Sequence, residues 1–239
     1  MFSIGVLSSY VMKKFFQIAV LGALLMAPAC GMAQETHVDV HVGANLSGFV
    51  GGNDSQVQDK KVRVGSEFGV GLSYETKNKI VLSSGFNFLL VSNKMSVLSD
   101  YLSEGKLAFT YPEVNAKEIA LEVPVKIGYD FRLGTKLNFI PSIGVYGRYS
   151  TASLKDDVTE NFVGDIPNTF KWNCFENHLN NNNRLDAYKR WDVGALVEAK
   201  FLYAGHYSLL LGYSRGFIKK SSQFKVKNHS LKLTIGYSF

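Results

Sequence analysis

Cys174 and His178, with three residues between them, are the pair whose types suggest nucleophilic or metal chemistry. A thiolate beside an imidazole can attack a carbonyl carbon, and the same two donors can begin a zinc site. The remaining parts of either constellation are missing. The other cysteine is Cys30, and the other histidines, His37, His41, His206 and His229, lie on separate segments. No phosphate-cradling glycine loop and no His-Glu-x-x-His helix is present. The sequence therefore predicts no catalytic residue, no metal ligand and no cofactor, and Cys174 reads as a tolerated loop thiol.

A larger charged set recurs at alternating positions. Arg63, Glu67, Glu122, Lys126, Arg148, Asp192, Glu198, Lys200 and Lys232 each stand out of phase with apolar neighbours. Asp39, His41, Asn45, Glu118, Asp130, Gly69 and Gly71 share that phase. On a strand, period two puts such residues on one side. Charges enclosed together need opposite partners, so similar numbers of acids and bases predict an ion-pair network that fills an interior. A proton or ion path is the sharper alternative. Elsewhere, Lys219, Lys220, Lys225 and Lys227 form a basic cluster suited either to phosphate groups, as point charges, or to plain solvation. Trp172 and Phe175, with Phe170, punctuate a long polar segment. They either fold that segment onto the rest of the protein or form a partner patch.

The elements that must position these residues are strands. Eight runs alternate with period two: 38–48, 62–75, 79–91, 117–131, 136–150, 189–203, 206–217 and 228–239. In the last, Leu231, Leu233, Ile235, Tyr237 and Phe239 share one face, and Lys232, Thr234, Gly236 and Ser238 the other. Exposed to water, such a terminal strand invites aggregation. In a closed barrel surrounded by hydrocarbon it has a partner on each side and an oil-like solvent outside. Each run is long enough for a tilted membrane strand, which takes about 9–11 residues. The connections 76–78, 132–135 and 204–205 are tight, while 49–61, 92–116, 151–188 and 218–227 are long. Short turns on one side and long loops on the other are usual for outer-membrane barrels. Tyr74, Tyr129, Phe131, Tyr149, Trp191, Tyr203, Tyr213, Phe217, Tyr237 and Phe239 fall toward strand ends, as interfacial girdles require. Pro124 and Pro141 lie inside strand patterns, where each should mark a bulge or a locally unpaired position.

The amino terminus reads as a targeting segment. Lys13 and Lys14 precede the apolar stretch 15–27, and Gly31-Met32-Ala33 suits a signal peptidase, so residues 1–33 are expected to be a signal peptide and 34–239 the folded domain. Lipidation at Cys30 is the alternative, although Ala27-Pro28-Ala29 is a poor lead for it. Loss of two lysines takes the net charge from +6 to +4. That mild excess comes without a basic helix or aromatic platform, so no nucleic-acid partner is expected. The expected fold is all-β, an eight-stranded antiparallel transmembrane β-barrel. A soluble lipocalin-like ligand-binding barrel, with the apolar face inward, is the rival architecture, and a small outer-membrane enzyme the rival function.

The segment Ile119-Ala120-Leu121-Glu122-Val123-Pro124-Val125-Lys126-Ile127-Gly128-Tyr129 resembles the middle strand of the PorT-like outer-membrane β-barrel proteins of Bacteroidetes-type bacteria. Gly43-Ala44-Asn45-Leu46-Ser47 is similar to that family's first strand. Trp191-Asp192-Val193-Gly194 with Leu209-Leu210-Leu211-Gly212-Tyr213 is similar to its penultimate hairpin. The resemblance spans 34–239. It implies an integral barrel of the bacterial outer membrane and, in a few relatives, participation in protein secretion. In that setting the expected partners are outer-membrane lipids, lipopolysaccharide at the lysine cluster, envelope proteins, and the barrel assembly machinery through the strand ending at Phe239. The expected role is that of a non-enzymatic scaffold or binding protein working through its long external loops.

Overall fold

The computed structural model describes residues 33–52, 57–97, 99–103, 106–110, 113–160, 168–180 and 183–239. The expected signal peptide and Cys30 lie outside the described residues, apart from Ala33 at the start of the first strand. Eight long strands form the body: β1 (Ala33–Gly51), β2 (Val57–Thr76), β3 (Ile80–Val97), β4 (Glu113–Tyr129), β5 (Leu137–Glu160), β6 (Trp191–Tyr203), β7 (Tyr207–Gly216) and β8 (Val226–Ser238). Each pairs antiparallel with its neighbour in sequence, and β1 pairs with β8 from Asp39 opposite Ser238 to Gly51 opposite Val226. The sheet is thus a closed eight-stranded antiparallel barrel.

The pairings also fix its stagger. Stepping across the ladders from Glu122 leads through Asn87, Gly69, His41, Gly236, Ser208, Leu202 and Asn138 to Arg132, ten residues beyond the start. Eight strands with such a stagger tilt by about 40° and leave an interior that side chains fill.

The alternation decides which side meets which solvent. The apolar positions point outward: Phe88, Val125, Ile143, Val197, Leu211 and Ile235 are exposed, Ile143 and Ile235 at 62% each. The polar positions point inward: Glu122 is 0% exposed and Lys232 3%. This is the reverse of a lipocalin-like barrel, and in water so large an apolar outer face would drive association. In hydrocarbon it is the favourable side.

Short turns close one end. Ala204 and Gly205 both have positive φ, 53° and 75°, and His206 N–H donates to the Tyr203 carbonyl at 3.1 Å. Two positive φ values in a two-residue hairpin loop define a type I′ turn, whose twist matches that of the strands. Rings line this end, with Tyr129–Phe131 centroids 4.7 Å apart, Phe139–Phe201 5.0 Å and Tyr237–Phe239 5.0 Å. Tyr149 and Trp191, 4.8 Å apart, belong to the opposite end. Tyr74 departs from the girdle expectation, being buried.

Both prolines sit where a ladder is interrupted. Pairing of β3 with β4 passes from Ser84–Val125 to Asn87–Glu122, skipping Pro124, and the Ser84 hydroxyl donates to the Pro124 carbonyl at 2.8 Å. Pro141 falls between the Gly128–Ser142 pair and the Phe131–Phe139 pair. At the other end, β1 to β5 run well past the expected strand ends. Once a strand leaves the apolar belt its outer side meets water, so the alternation fades while backbone pairing continues. Two ribbons, Ser99–Ser103 with Lys106–Thr110 and His178–Asn180 with Asn183–Leu185, and a strand Asn168–Lys171 paired to β5, occupy connections expected to be irregular.

Candidate functional site

The inward faces of seven strands converge on a charged core. Glu122 of β4 accepts from Arg148 of β5, with Nη2 at 2.6 Å and Nε at 3.0 Å from Oε2. Its other oxygen accepts from Lys232 of β8 at 3.2 Å and from Asn87 of β3 at 3.3 Å. The Lys232 ammonium also lies 3.5 Å from Glu67 of β2 and 3.5 Å from Glu198 of β6. Glu198 continues to Lys126 at 2.6 Å. Glu67 continues to His41 at 3.8 Å, His41 to Asp39 at 3.2 Å, and Asp39 to Lys200 at 3.5 Å. Charges of both signs in one connected chain offset the desolvation that each would suffer alone.

Glycine supplies the room. A Cβ at Gly71 would stand 2.6 Å from Asp39 Oδ1, and one at Gly69 would run into His41 Nε2 and Asn87 Oδ1. The space left beside Asp39, His41, Glu67, Lys126, Glu198 and Lys200 is about 50 Å³, enough for a few water molecules.

Toward the long connections the same inward columns turn apolar. On β1 they run from Asn45 and Ser47 to Phe49, on β4 from Glu122 and Glu118 to Ala116 and Val114, and on β8 from Lys232 to Val226, all buried. Residues between β5 and β6 fold over them. Trp172, Cys174 and Tyr188 join Phe49, Met95, Val114, Ala116, Phe224 and Val226 in one buried apolar cluster. Tyr188 packs edge-on against Phe49 and Trp172, with centroids 6.0 and 5.4 Å away. Trp172 Nε1 donates to the Glu176 carbonyl at 2.8 Å and Tyr188 N–H to the Cys174 carbonyl at 2.6 Å, holding the segment shut. Directly beneath, Lys220 Nζ lies 2.5 Å from Glu118 Oε2 and 3.1 Å from Ser150 Oγ.

Several expectations change. Lys220, expected at the surface, is buried, because its connection turns inward and its ammonium meets Glu118. Trp172, one candidate for a partner patch, is buried in the cap, so the folded-over alternative holds for it. Phe175 is half-buried under the Arg190 guanidinium, 4.2 Å from its ring. Lys219 and Lys225 are exposed and Lys227 is half-buried. Arg63, expected inside, is exposed, since it lies where the β2–β3 register shifts between Val62 and Ser66. Asp192 does face inward, but its neighbours are neutral donors, Asn228 at 2.9 Å and Tyr146 at 3.4 Å. Lys126, Arg148, Glu67, Glu122, Glu198, Lys200 and Lys232 come together as described above.

Cys174 is fully buried in the cap, and the His178 side chain lies outside the described residues. Gly212-Tyr213-Ser214-Arg215-Gly216 has the letters of a serine-hydrolase elbow. It forms straight strand, however, with Ser214 buried and opposite Ser230, not a strand-to-helix turn. The barrel side of the apolar cap went unread in the sequence. Its signal is a change of phase: Phe49 and Val226 stand on the polar face of their strands.

A family model described as outer membrane protein beta-barrel domain matches residues 18–239. This chain belongs to that outer membrane β-barrel family. The match begins inside the segment expected to be a signal peptide. No curated protein matches this outer membrane barrel. Among solved structures it is similar to Ail, the attachment invasion locus protein of Yersinia pestis, with 11% identity, 86% of this chain and 100% of that chain covered, and a TM-score of 0.36. It is similar to OprG from Pseudomonas aeruginosa, with 9% identity, 87% and 97% covered, and a TM-score of 0.39. It is also similar to Neisserial surface protein A, with 12% identity, 85% and 97% covered, and a TM-score of 0.37.

Proposed function

We propose that this outer membrane barrel is a non-enzymatic envelope scaffold or binding protein that acts through the surface built by its long connections. The observation that carries the reading is the double closure of the lumen, charged in the middle and apolar at the long-connection end. An interior filled in this way leaves recognition to the outer surface, and loops on a rigid scaffold are where recognition is usually placed. On this reading the ion pairs joining Glu67, Glu122, Lys126, Arg148, Glu198, Lys200 and Lys232 are structural. The buried position of Cys174 favours a non-enzymatic role, since a nucleophile needs access to its substrate.

The PorT-like resemblance extends the proposal to protein secretion or surface assembly in a Bacteroidetes-type envelope. Residues 1–33 direct export as a signal peptide, and the strand ending at Phe239 is the segment offered to the barrel assembly machinery. Partners are envelope proteins and outer-membrane lipids, lipopolysaccharide among them.

The test has two arms. Gene deletion should change the profile of surface or secreted proteins. Affinity capture from solubilised envelopes should recover a partner with the intact chain and lose it when residues 98–111 are replaced by a short turn. An unchanged profile, together with identical capture by both forms, rejects the proposal.

A further inference from the structure

Past Glu198 the chain has no acidic side chain, yet it carries Lys200, Arg215, Lys219, Lys220, Lys225, Lys227 and Lys232. Three of these are turned inward onto carboxylates: Lys200 on Asp39, Lys220 on Glu118, and Lys232 on Glu67, Glu122 and Glu198. The remaining four stay on the outside of the β7–β8 wall.

Strand phase says where. On β7, Tyr207, Leu209, Leu211 and Tyr213 face outward, and Arg215 is the next position of that row. On β8, Leu231, Leu233, Ile235 and Tyr237 face outward, and His229 and Lys227 continue the row, with exposed Lys225 just before the strand. Tyr213 stands opposite Leu231, and Arg215 opposite His229. The apolar belt therefore gives way to a basic collar within one two-residue step. On the adjoining β5–β6 wall, the Tyr149–Trp191 ring pair marks an amphipathic boundary at the same end. The flanking strands offer Val50, Trp191 and Val193 on their outward sides near the collar, none of them a carboxylate.

Four cations gathered at one end of this wall repel one another, and no acidic side chain on β7, on β8 or in the connection between them neutralises them. We infer that the collar binds the phosphate groups of an anionic lipid in the surrounding leaflet, with Arg215, Lys219, Lys225 and Lys227 on the phosphates and the acyl chains lying along Tyr213 and Leu231. Arginine matches two phosphate oxygens with its fork, while the lysines act as mobile point charges. Continuity with the apolar row selects a lipid over a soluble polyanion, because only a lipid uses both surfaces. The inference deepens the proposed function and rests on that reading of the long-connection end as the outer one.

The test uses the full chain folded into phosphatidylcholine micelles, with native mass spectrometry as readout. The probes are bisphosphorylated lipid A, its dephosphorylated form, and inorganic phosphate. The phosphorylated lipid should bind at least ~10-fold tighter than the dephosphorylated one, the scale of one or two charge-assisted contacts. Arg215→Ser with Lys225→Asn and Lys227→Ser should abolish that preference, and Arg215→Ser alone should weaken it roughly threefold. Lys77→Ser with Lys79→Asn and Lys136→Ser removes the same charge at the short-turn end and should leave it intact. Equal affinity for both lipids, an unaltered preference in the triple collar variant, or displacement by equimolar inorganic phosphate overturns the inference. Gel mobility with and without boiling is read in parallel. A chain that shows no heat-dependent shift and stays in solution without detergent contradicts the membrane-barrel reading itself, which is a separate result.

Discussion

Lys232 stands within 3.2 to 3.5 Å of three buried carboxylates, those of Glu122, Glu67 and Glu198. Arg148 is ion-paired with Glu122 and Lys126 with Glu198, so among the described residues Glu67 depends on Lys232 and on the more distant His41. Removing the ammonium leaves buried negative charge without its counter-ion, which costs far more than losing one contact. Lys232→Met should lower barrel stability by about 3–5 kcal/mol, measured by urea-driven unfolding in phosphatidylcholine vesicles. A loss below about 1 kcal/mol would show that water already solvates these carboxylates. Lys220 and Glu118 follow the same logic one layer higher, where the apolar cap denies them water. The sequence showed Lys220 only as one of four lysines. Its inward turn brings it to Glu118, 102 residues away in the chain, a tertiary contact with no trace in local spacing.

At the scale of the strand, turns and phase carry the information. All eight barrel strands were legible, because a membrane barrel needs strict alternation wherever one side faces lipid and the other a packed interior. The legibility ends where that contrast ends. Val57–Lys61 and Thr151–Glu160 pair as strands above the belt, yet their sequence no longer alternates apolar with polar residues. For the same reason the cap residues Phe49 and Val226 were invisible to a search for one apolar face per strand. Arg63 shows the converse limit, since a shift in β2–β3 register frees a residue whose phase pointed inward. The β6–β7 turn was legible from Ala204-Gly205, but its strain was not: Ala204 holds φ 53° with a Cβ that disfavours it. Ala204→Asn should stabilise the hairpin by about 0.5–1 kcal/mol, because Asn tolerates this conformation and suits a type I′ turn. The same unfolding measurement checks it, and a destabilised variant would argue against this turn geometry.

At the scale of the whole barrel, two closures lie in series along one axis. The lower is the ion-pair core around Glu122, Arg148 and Lys232, and the upper is the apolar lid of Trp172, Tyr188, Phe224 and their neighbours. They fail by different physics. The lid excludes water because it is apolar, so polar substitutions wet it. The core blocks passage because its side chains fill a narrow eight-stranded interior and hold one another in place. Ion flow therefore requires both to be opened. In planar bilayers the unaltered chain should give no steady current. Trp172→Ser with Tyr188→Ser should also give none, since the core remains. Adding Glu122→Ser and Lys232→Ser, which removes one charge of each sign, should produce a steady conductance. A current from the lid variant alone would mean that the charged core already conducts, and the interior would then have to be read as an ion path instead of a structural lock.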